Sequence, residues 1–167
     1  MLLYKILKIN LSLIILLVIT SCGFQPLYKV NSLSGFIIEE PKKLDENTSI
    51  VFAELDRAFY KNDNGNNYII NFMIDEQFED IDVREDEKVL RKNIVMTVNF
   101  TIKEQGKKEI LYSGESIVSS AFNRVAEPYS NYVSENDTKE RIALLLAQDL
   151  QRQFILFKNN QLKTNER

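Results

Sequence analysis

The 167-residue chain has no histidine, no tryptophan and a single cysteine, with only three prolines and five glycines. Without histidine it lacks both the usual general base and the commonest metal ligand. One cysteine excludes an intramolecular disulfide. The formal charge is −3 and the isoelectric point near 5.2, so a nucleic-acid surface would need a basic patch acting against the overall field, and none stands out. With 44% apolar and 27% charged residues, the length suits one globular domain plus a processed segment. Such a domain is large enough to bury a core without disulfides or structural metal.

The lone cysteine sits at an abrupt change of composition. Before it, Lys5 and Lys8 form a positive head, and residues 9–19 are apolar apart from Asn10 and Ser12. No acidic residue precedes it, and the small residues Thr20 and Ser21 lead directly to Cys22. This is the layout of a secretory signal peptide, with an apolar run shorter than the about 20 residues a spanning helix needs. Ile19-Thr20-Ser21-Cys22 resembles the bacterial lipobox. In signals of that kind the thiol receives a diacylglycerol, the preceding bond is cut and the new amino group is acylated. Two or more acyl chains hold a protein stably on a bilayer, whereas one does so only marginally. The expected organisation is a lipoprotein signal peptide over residues 1–21 and lipidation at Cys22. A lipidated tether over 22–34, an α+β domain over 35–158 and a polar tail over 159–167 then follow. Gly23 stands where an Asp would favour inner-membrane retention, which points to the outer membrane with the lipid anchor facing the periplasm.

In the mature part, residues 35–39 read as a short strand closed by Pro41. Asp45, Asn47 and Thr48 offer helix-starting oxygens. Val51, Leu55, Ala58 and Phe59 recur at helical spacing and predict an amphipathic helix over 48–61, ended by the turn cluster 62–67. Tyr68, Ile70, Phe72, Ile74 and Phe78 then alternate along one strand. Ile94, Met96, Val98, Phe100 and Ile102 alternate along a second. Residues 104–108 form a hairpin loop before a third strand over 110–122, and the charged stretch 79–91 reads as a solvated hairpin tip. Ser134 and Asp137 resemble a capping box that opens a final helix. Its apolar stripe runs through Ile142, Leu146, Leu150, Phe154 and Phe157. The result is an α+β fold of β-α-β-β-β-α order, a sheet of about four strands with two helices on one face.

No catalytic set emerges. The carboxylates crowd one solvated loop, where nothing separates the pKa values of an acid and a base. Their spacing is not that of an EF-hand. Gly114-Glu115-Ser116-Ile117-Val118 lacks the closing glycine of a nucleophile elbow and has no histidine to serve it. The chain is therefore not expected to be an enzyme, nor to need a metal or cofactor. Arg84, Lys88, Arg91 and Lys92 are the weak candidate ligand-binding cations; alternating with acids, such residues more often form a hydrated surface. Phe122, Tyr129 and Tyr132 suggest a cleft, but turn residues dominate residues 121–132, which read as a structural loop.

Three features coincide. Cys22-Gly23-Phe24-Gln25-Pro26-Leu27-Tyr28 follows the lipobox, the element order is as above, and Phe122-Asn123-Arg124-Val125 with Pro128-Tyr129 precedes a Glu140-Arg141-Ile142-Ala143 helix. Together they resemble the lipopolysaccharide-assembly lipoprotein family LptE, in a form similar to those of alphaproteobacteria, over roughly residues 22–157. The resemblance implies a non-catalytic plug in the lumen of the outer-membrane β-barrel LptD. Such a plug supports barrel assembly and helps lipopolysaccharide reach the outer leaflet. The implied partners are that barrel, lipopolysaccharide and, through the lipid, the membrane; nucleic acid is not among them. A different class, an envelope lipid-binding lipoprotein serving another transport system, would need an apolar cavity between sheet and helices wide enough for acyl chains.

Overall fold

The computed structural model describes residues 33–59, 68–83 and 89–165. The leader, Cys22, the tether up to residue 32 and the turn cluster 62–67 lie outside the described residues. Six elements follow in order: β1 (Phe36–Ile38), α1 (Glu46–Ala58), β2 (Tyr68–Val83), β3 (Val89–Glu104), β4 (Ile110–Asn123) and α2 (Pro128–Asn165). The strands make one mixed sheet in the order β1-β2-β3-β4, with β1 parallel to β2 and the other neighbours antiparallel. This is the expected α+β architecture.

Strand alternation creates the core. Ile94, Met96, Val98, Phe100 and Ile102 are all buried on one face of β3, while the intervening Asn99 is exposed. The register sets Ile70 beside Ile102 and Phe72 beside Phe100, so the apolar face continues onto β2. Both helices cover it. Ile142, Leu146, Leu150 and Phe154 of α2 and Val51 and Leu55 of α1 have no exposed surface. Each such side chain stabilises the fold by about 1.5–3 kcal/mol.

Aromatic rings close the end near β1. The Phe154 ring meets Phe100 edge-on at 5.0 Å and lies 5.8 Å from Phe36 and 5.9 Å from Phe59. Phe100 pairs across the sheet with Gly114, where a Cβ would stand 2.6 Å from the Phe100 Cζ. Glycine at that position lets the ring lie down over β4.

Local chemistry sets the helix boundaries. Asp45 caps α1, its carboxylate accepting the Thr48 N–H at 2.8 Å. Partial burial works to raise the Asp45 pKa, but the bonds from Thr48 and the nearby Lys43 outweigh it and hold the carboxyl below its ordinary value. α2 begins six residues before the expected cap at Ser134. Pro128 occupies its first position, where a missing N–H costs nothing. Ser134 is inside the helix, and its carbonyl accepts the Thr138 hydroxyl at 2.7 Å. Ahead of the helix, the Asn131 amide both accepts from Val125 N–H and donates to Val125 C=O, each at 2.8 Å, which folds the β4–α2 connection back on the first turn. At its other end α2 runs through residues 159–165, most of the stretch expected as a polar tail.

The charged stretch 79–91 also differs from expectation. Rather than a long hairpin tip, it is largely strand: β2 continues to Val83 and β3 starts at Val89. Cross-strand polar pairs support this extension. Lys92 Nζ lies 3.6 Å from Asp80, and the Asn93 amide donates to Glu79 at 2.9 Å. Register shifts on either side of Asp82 mark an irregularity near the tip.

A polar tie joins α2 to β4. Buried Ser116 donates its hydroxyl to the Asp149 carboxylate at 2.7 Å, and Gln153 and Arg152 donate to the same group. Burial acts to raise the Asp149 pKa, but the three donors prevail and hold it below the usual carboxylate range. A depressed folded-state pKa contributes stability above the unfolded value and loses it as pH falls through the folded one. Urea unfolding should therefore show Ser116→Ala costing about 1 kcal/mol at neutral pH. The deficit should begin to shrink below about pH 4, the ordinary carboxylate value, and disappear as pH falls through the lower folded-state value. Gly114→Ala is expected to cost about 1–3 kcal/mol through overpacking. Phe100→Leu in that background should recover part of the loss, so that the double variant is more stable than the two single losses together imply.

Candidate functional site

At the end of the sheet opposite β1, the start of α2 and the β4–α2 connection enclose a cleft of about 430 Å³. Lys92, Phe122, Arg124, Pro128, Tyr132 and Glu135 are among its walls. The β3–β4 register brings Lys92 opposite Phe122, both on the face that carries the helices. The chain then leaves β4 at Asn123, so that Arg124 and Val125 form the rim. The Asn131–Val125 hydrogen bonds hold that rim against the first turn of α2.

Charge in and around the cleft is partly committed. Lys92 is half-buried; its ammonium faces Asp80 and lies 5.9 Å from the Phe78 ring. Behind the cleft, Lys139 reaches both Glu76 and Glu135 at 2.9 Å and stands 5.0 Å over the Phe78 ring. Burial pulls the Lys139 pKa down, but the two carboxylates more than compensate and raise it above the ordinary lysine value, so the group is a fixed cation. Asn47 donates to the same Glu76 at 2.7 Å, which ties α1 into this network. Arg124 is exposed and has no carboxylate partner among the described residues. Tyr129 and Tyr132 are 78% and 64% exposed, and Val125 and Val133 are open to solvent beside them.

The sequence candidates separate accordingly. Arg84 and Lys88 lie outside the described residues, as does Cys22. Arg91 and Lys92 are neighbours in sequence, but alternation sends them to opposite faces of β3. Lys92 enters the cleft, and Arg91 lies exposed opposite Asn123 on the uncovered face. The stretch 121–132, expected as a purely structural loop, supplies most of the cleft instead, and its residues 128–132 are helical. Arg124 was not among the expected cations. Its signal was an arginine between Phe122 and Tyr129, in a segment with few other charges.

The cleft has groups that suit recognition. It offers ammonium and guanidinium groups for an anionic group and aromatic faces for a ring or acyl surface. A wider groove of about 1110 Å³ lies over the open face of the sheet, walled by the β1–α1 connection. Its floor includes the uncharged polar side chains Asn71, Asn99, Thr101 and Ser113. Among the described residues no group of three or more Cys, Asp or Glu side chains is placed to hold a metal ion.

No family model matches the chain, and no curated protein matches it in sequence. Solved structures do match in fold. A lipoprotein B from Nitrosomonas europaea superposes with a TM-score of 0.63 at 15% identity, over 85% of this chain and 96% of that one. A minor lipoprotein from Acinetobacter baumannii gives 0.56 at 14% identity, over 76% and 93%. A lipoprotein from Caulobacter crescentus gives 0.55 at 19% identity, over 78% and 93%. At these identities the likeness is one of fold: the chain has the fold of these bacterial lipoproteins.

Proposed function

We propose that the protein is an outer-membrane lipoprotein, anchored through Cys22, that sits in the lumen of an LptD-type β-barrel. There it supports assembly of the barrel and takes part in lipopolysaccharide transport to the outer leaflet. The observation that carries this reading is the pairing of a lipobox-type cysteine with a domain of lipoprotein fold that starts shortly after it. A cleft walled by Lys92, Arg124 and Tyr132 agrees with the role.

Within this reading, Lys92 and Arg124 take an anionic group of lipopolysaccharide while Tyr132 lies against its sugar or acyl surface. Lys92 is the one described member of the four candidate cations that the cleft contains. The lipid tether raises the domain's effective concentration at the membrane, so modest direct contacts with the barrel suffice.

The rival reading, an acyl-chain carrier without a barrel, needs an apolar cavity between sheet and helices. That space is filled by Met96, Val98, Phe100, Leu146, Leu150 and Phe154, all essentially without exposed surface. The packed interior argues against it.

Affinity purification of the tagged protein from a detergent-solubilised envelope is expected to bring down an LptD-type barrel in near-stoichiometric amount. Recovery of a monodisperse, barrel-free lipoprotein would count against the proposal.

A further inference from the structure

The chain enters the fold at the end opposite the cleft. Lys158 Nζ donates to the Ser34 carbonyl at 2.5 Å and lies 3.1 Å from its hydroxyl, and Tyr68 N–H donates to Gly35 C=O at 2.7 Å. The entry point is thus fixed beside the carboxyl-terminal part of α2 and the start of β2. The β3–β4 turn, residues 105–109, is at this same end, because Tyr68 pairs with Glu104 and Ile102 with Tyr112. Ring contacts join the three parts: Phe157 lies 5.3 Å from Tyr68 and 5.6 Å from Tyr112.

This end carries apolar side chains that the core leaves partly exposed. Ile110, Leu111 and Tyr112 are 52%, 38% and 41% exposed. The register passes from Ile102–Tyr112 to Lys103–Ile110, so Leu111 is the extra residue of a bulge and is held out of the ladder. Lysines 103, 107 and 108 flank the patch and outnumber its two acids, of which Glu104 holds Lys107 at 2.7 Å. Leu162, farther along α2, is also exposed. At the opposite end the balance reverses among the described residues, with Asp75, Glu76, Glu79, Asp80 and Asp82 against Arg91 and Lys92.

We infer that this end of the domain is a second membrane contact, in which the β3–β4 turn with Ile110, Leu111 and Tyr112 rests in the headgroup layer of an anionic phospholipid bilayer. The inference rests on the reading of Cys22 as the lipid anchor and concerns the anchored domain before a barrel encloses it. Cys22 precedes Ser34 by twelve residues, a reach of at most about 40 Å when fully extended. The anchor therefore presents this end to the surface. Aliphatic side chains gain from the boundary between headgroups and acyl chains, a tyrosine suits the same layer, and lysines are drawn to lipid phosphates. The acidic end is repelled, which orients the domain with its cleft away from the bilayer.

The test uses the full-length protein, processed and purified from its own envelope, with Leu111→Cys labelled by an environment-sensitive fluorophore. An acylated Cys22 carries no free thiol, so the label attaches at position 111 alone. Ser130→Cys, exposed at the far end of the domain, is the comparison. In phosphatidylglycerol-containing vesicles with brominated chains, the label at 111 should be quenched by the lipid. It should also be about threefold or more less accessible to aqueous acrylamide than the label at 130. Lys107→Glu with Lys108→Glu should restore acrylamide access at 111. Protein that floats with the vesicles but leaves both labels equally wet overturns the contact alone. Protein that fails to float overturns the anchor and the inference with it. Vesicle-independent self-quenching at 111 would mean that a second copy covers the patch, and this too overturns the inference.

Discussion

Insertion of the Phe154 ring between Phe36, Phe59 and Phe100 is the contact on which the rest of the fold depends. Through it one side chain of α2 touches β1, the residue that follows α1 and the central strand β3. The packing needs a bare backbone at Gly114, because Phe100 leans over β4 at that point. β1 is only three residues long and bonded on one side, so its own ladder contributes little. Its place in the sheet follows from Phe36, which is 2% exposed within the ring cluster. The short parallel strand, the crossover helix and the long helix thus form one cooperative unit.

That unit gives the domain two unlike ends. Near β1 the rings, the Lys158–Ser34 clamp and the β3–β4 turn form a compact base at which the chain enters. At the other end β2, β3 and β4 run on past α1, whose first turn reaches them only through Asn47, and α2 supplies the rest of the cover. The cover is polar there: Lys139 bridges Glu76 and Glu135, and Asn47 reaches Glu76 from α1. The cleft lies at this end, between the ends of β3 and β4 and the first turns of α2.

Sequence reasoning succeeded where burial on one face repeats along an element. Ile94 to Ile102 and Ile142 to Phe157 were legible because every second residue, or every third and fourth, meets the core. The Asp45 cap was legible from its own chemistry. The first turns of α2 were not, because Tyr129 and Tyr132 face solvent and carry no stripe; Pro128 was the one local hint. The strand extensions to Val83 and from Val89 were masked by their charges, which pair across the ladder instead of forming a loop. The cleft needs Lys92 and Arg124 side by side, and only the β3–β4 register brings those two segments together.

The proposed function stands on the modification of one sulfur atom, that of Cys22, which would turn a small domain into a resident of the envelope. Mass spectrometry of the amino-terminal peptide, taken from protein made in its own cell, reads that modification directly. The account requires a chain that begins at Cys22 and carries a thioether-linked diacylglyceryl group and an amide-linked acyl chain. A chain that retains residues 1–21, or begins elsewhere with a free thiol at position 22, would contradict it.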